Sequence, residues 1–229
     1  MTASLALGGG LAALGGALLA RRYRADARAA HAWRAGLLDA GRGLLDDARV
    51  EAGPDGYPVL AGRFEDLPVR VRALAEAVAV RKLPALWLIA DVEAPSGVRG
   101  VLDLLMRPAN VEFFSPHARL EERVEAPEGW PEGAVLKARH AERLPGLACL
   151  EPHLGPFRHG GPGKELLLTP RLTRLVVLGD EGARGSFLLL RQGRFAEGGV
   201  PADRLADLVR RVAAVHRAVG AACAGARAA

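Results

Sequence analysis

Residues 2–20, TASLALGGGLAALGGALLA, hold no charge and no proline, and Arg21, Arg22, Arg24, Arg28 and Arg34 follow them against the single acid Asp26. As a helix this run measures roughly 28 Å, close to the ~30 Å hydrocarbon core of a bilayer. Leu5, Leu7, Leu11, Leu14, Leu18 and Leu19 supply its transfer energy, while Gly8, Gly9, Gly10, Gly15 and Gly16 supply little. Three readings fit such a segment: an uncleaved anchor, a cleaved signal peptide, or a soluble glycine-rich helix or tail. A signal peptide carries its positive residues ahead of the apolar run, and here they lie behind it, which favours the anchor. Arginine-rich short flanks stay on the cytoplasmic side, so the expected topology is a single pass through a bacterial inner membrane with the following domain in the cytoplasm.

The expected division is a transmembrane anchor over 1–20, a basic juxtamembrane helix over 21–49 and a soluble α+β domain over 50–229. Arg21, Arg22, Arg24 and Arg28 are the expected membrane-surface residues, meeting lipid headgroups. Gly8, Ala12 and Gly16 recur every four residues and would share one helix stripe, where small side chains allow self-association. Tyr23 and Trp33 suit either an interfacial position or packing on the domain, with packing preferred for Trp33.

The net charge of +5 resides mostly in that basic flank. The rest of the chain is nearly neutral and aromatic residues make up 5%, so the clustered cations and stacking rings of a nucleic-acid groove are missing from the pattern. No nucleic acid is expected as a partner; the lipid bilayer and a protein partner are. Cys149 and Cys223 are too few for a disulfide framework and lie in unlike surroundings.

Beyond EAGPDGYP the hydrophobic period changes from helical to alternating. Segments 57–64, 67–75 and 84–92 read as strands, with Val69, Val71 and Ala73 alternating against Arg70, Arg72 and Leu74. Their short connections imply antiparallel pairing, and Pro68 suggests an edge strand. Residues 98–106 suit a strand or a short helix. Residues 107–163 are proline-rich and read as loops with one or two short strands and a short helix near 141–154. Segments 164–169, 172–178 and 185–192 form a second strand cluster, read as a second meander. Residues 201–224 form a closing helix whose Leu205, Leu208, Val212 and Val215 must cover a sheet. The fold class is α+β: an N-terminal transmembrane helix, antiparallel strand clusters and a closing C-terminal helix.

The phrases YPVLAGRFEDLPVRVRALAEAV, RKLPALWLIADV, LLMRP, KELLLTPRLTRLVVL and FLLLRQGRF, in this order behind a basic flank, resemble uncharacterised membrane-anchored proteins of bacteria, in which one N-terminal helix precedes a soluble α+β module. That resemblance implies the layout and brings no activity and no functional residue.

No motif names a reaction, and no catalytic residue, metal ligand or cofactor is expected. His159-Gly160-Gly161-Pro162-Gly163 is similar to the oxyanion-hole loop of proline iminopeptidase-like α/β-hydrolases. None of Ser4, Ser96, Ser115 and Ser186 sits in a Gly-x-Ser-x-Gly elbow, so the phrase reads as a turn before a strand. Gly163-Lys164 fails as a phosphate loop, with Arg158 where the first glycine belongs and Glu165 where a hydroxyl belongs. Cys149, His153 and His159 match no familiar zinc spacing. His31 and His216 read as solvated helix residues, and His117 and His140 sit among charges without a nucleophile. Arg81, Lys82 and Arg107 would meet an anionic headgroup or pair with Glu65, Asp66 or Asp91. The leading functional expectation is a non-enzymatic membrane protein with a cytoplasmic interaction or assembly domain. The alternatives are a hydrolase-like enzyme using the loop from His153 to Gly163, and an anionic-lipid headgroup binder.

Overall fold

The computed structural model describes residues 2–76, 84–108, 112, 114–182, 195 and 198–228, with side chains from Gly15 onward apart from Arg227. Its elements are helix α1 (Thr2–Gly36), strands β1 (Asp46–Ala52), β2 (Pro58–Phe64), β3 (Leu67–Glu76), β4 (Ala85–Val92), β5 (Val101–Met106), β6 (Glu122–Val124), β7 (Ala134–Arg139), β8 (Gly163–Thr169) and β9 (Leu172–Glu181), and helix α2 (Ala202–Ala228). The fold is mixed α+β. Among the described residues nine strands form one sheet in the order β1-β2-β3-β4-β9-β8-β5-β7-β6, and every neighbouring pair is antiparallel.

The two expected strand clusters therefore share a single sheet. The β8–β9 hairpin is not a separate meander: it sits between β4 and β5, closed by Pro170 and Arg171 while the Thr169 hydroxyl accepts from the Arg171 N–H and donates to the Leu172 carbonyl. Residues 98–106 resolve as strand β5, and the expected strand over 185–192 lies outside the described residues. Pro68 does not mark an edge, because β3 runs between β2 and β4. Its missing N–H is tolerated near the strand start, where pairing with β4 begins only at Val69.

The helix expected over 21–49 stops at Gly36, a 3₁₀ turn covers Asp39–Leu44, and Asp46–Ala52 is strand β1. Packing decides the break. Leu37 and Leu38 are buried in the core, and the turn is wedged so closely over the sheet that a Cβ on Gly41 would come within 2.6 Å of Leu60 and 3.1 Å of Leu205. Trp33 stacks on Phe195 with ring centroids 5.9 Å apart and Arg34 lies over Tyr57, so Trp33 packs on the body as expected. Farther back, residues 16–32 of α1 are exposed on all sides. Among the described residues no helix is long and apolar enough to cross a membrane; most of the run 2–20 lies ahead of the first described side chain.

Alternation splits the sheet into two faces. One carries Val69, Val71, Leu86, Leu88, Ala90, Leu102, Leu104, Leu166, Leu168, Leu175 and Val177, all buried. Against it α2 lays Leu205, Leu208, Val209, Val212, Val215 and Val219, with Leu150, Leu154 and Phe157 from the proline-rich segment filling in beside the helix. Each such side chain contributes roughly 1.5–3 kcal/mol of burial. His216 is part of this interface rather than a solvated residue: it is buried, and its Nδ1 meets the Thr173 hydroxyl at 3.0 Å. Burial, then the charge of Arg217, push its imidazole down from the ordinary histidine range, which suits a neutral ring in an apolar contact.

Candidate functional site

The opposite face is built differently. Directly paired residues on adjacent strands share a face, and following the register across the sheet gives a single lateral row: Arg49, Ala61, Arg70, Asp91, Arg174, Leu167, Asp103, Lys137, Arg123. Opposite charges meet repeatedly along it. Arg174 grips Asp91 with two bonds, Nε to Oδ1 at 2.7 Å and Nη2 to Oδ2 at 3.0 Å. The next row is apolar apart from three residues, Glu51, Arg72 and Glu165: Glu51, Val59, Arg72, Ile89, Val176, Glu165, Leu105, Val135.

Residues 112 and 114–120 cross the middle of this face. Phe114 packs on Ile89 and Val176, with its ring centroid 6.0 Å from that of Trp87. Polar bonds do the rest of the fastening. The Arg174 Nη1 donates to the Phe114 carbonyl at 3.0 Å, the Ser115 hydroxyl donates to Asp103 Oδ2 at 2.9 Å, and the His117 Nδ1 meets the same oxygen at 3.0 Å. Lys164 Nζ pairs with Glu112 at 2.7 Å and donates to the Met106 and Arg107 carbonyls. Asp91, Asp103, Glu112, His117 and Glu165 are all buried.

The electrostatics follow from that burial. Desolvation and then the Asp103 charge push the Glu165 carboxyl up to about 8, against the pull of the Ser115 hydroxyl and Arg174. Burial depresses the Arg174 guanidinium, but its bonds to Asp91 and the nearby Asp91, Glu165 and Asp103 charges outweigh this and raise it. Arg72 is lowered by burial and then by Arg174, and its Nε has no partner among the described residues. An aspartate fully out of water, one oxygen of which orients a histidine through Nδ1, fixes that ring's tautomer and position. The His117 ring keeps a side-chain exposure of 10% while Asp103 has none, so solvent reaches the histidine and not the acid.

Sequence reasoning passed over this constellation. Its traces were acids inside otherwise apolar strands, LIADV, VLDLL and KELLLT, but the expectation gave Asp91 to Arg81, Lys82 or Arg107. Asp91 binds Arg174, and Glu65 and Asp66 bind Arg217; Arg81 and Lys82 lie outside the described residues, and Arg107 is exposed. His117, read as sitting among charges without a nucleophile, is bonded to the buried Asp103, an acid outside its own segment, and shares that oxygen with the Ser115 hydroxyl.

The hydrolase-like loop resolves into packing. Gly160 takes a left-handed φ of 73°, open to glycine at no steric cost. A Cβ on Gly161 would collide with the Pro156 carbonyl, and one on Gly163 would lie 2.7 Å from the Phe157 ring. His159 is exposed, while Ser115, bonded to Asp103, belongs to the other face. His153 instead lines a half-open cleft of about 280 Å³ with Pro152, Leu175, Asp207, Arg210, Arg211, Ala214 and Val215. Inside it Arg211 pairs with Asp207 at 2.6 Å, and burial holds the His153 imidazole below its usual range. Cys149 does not join His153 and His159 in a ligand set: among the described residues no three His, Cys, Asp or Glu side chains are placed to hold a metal. Burial and then Cys223 raise the Cys149 thiol, so the two cysteines expected in unlike surroundings lie within electrostatic reach of each other. Arg21, Arg22, Arg24 and Arg28 are exposed on α1, and Tyr23 is exposed beside them. Gly16 is exposed on the same helix, and the surroundings of Gly8 and Ala12 lie outside what is described.

Fold and site together define a mixed α+β domain with one helix-covered apolar face and one charged face fastened under a crossing segment. No family model, no curated protein and no solved structure matches this chain.

Proposed function

We propose that this is a non-enzymatic, single-span membrane protein in which residues 2–20 cross a bacterial inner membrane and the α+β body serves at the cytoplasmic surface as an interaction or assembly module. The observation that carries the reading is the surface of α1. Residues 16–32 are exposed throughout, although they include Leu18 at 58%, Leu19 at 73% and Tyr23 at 76% exposure. A soluble helix ordinarily buries an apolar stripe on its own protein. A helix that leaves leucines bare and then turns to Arg21, Arg22, Arg24 and Arg28 fits apolar residues in lipid and arginines at the headgroups. The sealed position of Asp103 and Glu165, both without exposed surface, supports a binding body over an enzyme, because acid–base chemistry needs a group within reach of substrate.

Membrane fractionation of the full-length chain tests the anchor: it should stay in the pellet through carbonate washing, and recovery in the wash would refute it. Alkaline phosphatase fused to the C-terminus should be inactive, and an active fusion would reverse the orientation. If Gly8, Ala12 and Gly16 mediate self-association, Gly16→Ile should abolish cross-linked dimers. Headgroup binding by Arg21, Arg22, Arg24 and Arg28 predicts salt-sensitive capture on anionic vesicles by a chain starting at Arg21. The hydrolase alternative, using the loop from His153 to Gly163, predicts a turnover that His153→Ala removes with folding intact.

A further inference from the structure

Among the described residues, three buried carboxylate oxygens on the charged face have no hydrogen-bond donor: Asp103 Oδ1 and both oxygens of Glu165. The two residues stand on neighbouring strands and the same face, Asp103 opposite Leu167 and Glu165 opposite Leu105, and neither has exposed surface. Two ionised carboxylates so placed would each bear the cost of desolvation and would repel one another.

Among the described residues no cation is left to neutralise the second charge. Arg174 spends Nε and Nη2 on Asp91 and Nη1 on the Phe114 carbonyl. Arg72 stands in the Glu165 row beyond Ile89 and Val176. Lys164 is committed to Glu112 and two carbonyls. Lys137 lies across from Asp103, half-buried toward the rim of the sheet, and His117 and Ser115 both bond Asp103. A proton is the remaining solution. Its position follows from the donors: Asp103 Oδ2 meets both the Ser115 hydroxyl and the His117 Nδ1, while with that hydroxyl spent on Asp103 neither Glu165 oxygen has a hydrogen-bond donor among the described residues.

We propose that Glu165 is the resident neutral acid of a buried carboxyl pair with Asp103, and that its proton latches the segment 114–120 over the outer face of the sheet. Closure seals Glu165 from water, whereas opening hydrates it and lets it ionise as an ordinary glutamate. The carboxyl that is pushed up to about 8 when closed returns toward its model-peptide value of 4.5 when open. Between those two values each rise of one pH unit favours opening by about tenfold, with no dependence below them and a plateau above. What opening uncovers is the apolar patch of Ile89, Val176 and Trp87 under Phe114. None of this requires the chain to be membrane-anchored.

Two measurements on the full-length protein test the latch. Infrared spectra at pH 7 should show the carbonyl stretch of an un-ionised carboxylic acid that vanishes on raising the pH past 8 and is missing from Glu165→Gln. Amide hydrogen exchange at residues 114–120, corrected for intrinsic rates, should report an opening constant that climbs about tenfold per unit toward pH 8 in the wild type and stays flat in Glu165→Gln and Glu165→Leu. Absence of the acid band at pH 7, or the same pH slope in both variants, would overturn the proposal. The infrared reading of the wild type stands even if a variant folds poorly.

Discussion

The two faces of the sheet are made by the same strands and covered by different means. Beneath α2 a long helix offers Leu205, Leu208, Val212 and Val215 to leucines and valines, and the contact is held by area removed from water. Beneath residues 112 and 114–120 one aromatic ring does the apolar work while Asp103, Arg174 and Lys164 fasten the backbone and side chains of the cover. Apolar packing is insensitive to pH and tolerates small adjustments. A buried polar network is held only while every charge keeps its partner, and it fails abruptly when one is lost. The first arrangement therefore secures the fold, and the second leaves one surface conditional on protonation.

The comparison breaks most severely where the helix is removed. A chain ending at Gly199 loses the whole cover of the apolar face, so it should show no cooperative thermal transition; a melt near the parent temperature would mean that α2 is an appendage. Within the intact helix, Leu208→Ala should lower unfolding free energy by about 2–5 kcal/mol in denaturant titration at any pH. On the other face, His117→Phe removes one bond to Asp103 from a site that is already nearly sealed. A loss of about 1–3 kcal/mol is expected, with the change concentrated in hydrogen exchange of residues 114–120 rather than in the core strands. Smallest of all is Arg217→Ala, whose pairs with Glu65 and Asp66 lie on the surface. Its melting temperature should be indistinguishable from wild type.

The helix-covered half was readable from the chain. The strand readings over 57–64, 67–75 and 84–92 and the three-or-four spacing in α2 rest on local signals, and they fall within a residue of the strands and on the helix face that the structure has. Strand β1 escaped because its apolar face is slight, Ala48 and Val50 half-buried at the sheet edge between exposed Asp47, Arg49 and Glu51; helical spacing continued from Leu37 and Leu38 ran straight through it. The charged face escaped for a different reason. Asp91, Asp103, Glu165 and Arg174 come from four strands, and their meeting depends on the β8–β9 hairpin inserting between β4 and β5, which no local pattern encodes. A single acid within LIADV or KELLLT looks like a break in an apolar run until its neighbours across the sheet are known.

Glu165 decides whether the outer face is conditional on protonation, and the most direct measurement is unfolding free energy against pH for the wild type and Glu165→Gln. A carboxyl raised from 4.5 to about 8 on folding binds its proton more tightly in the folded state, so its contribution is fully present below pH 4.5, falls as pH rises, and levels off above 8. The wild type should lose up to about 5 kcal/mol more than Glu165→Gln across that window, with the curves parallel on either side of it. Curves that run parallel from pH 4.5 to 8 would contradict the account, since Glu165 would then carry its charge in the folded protein as freely as in the unfolded one.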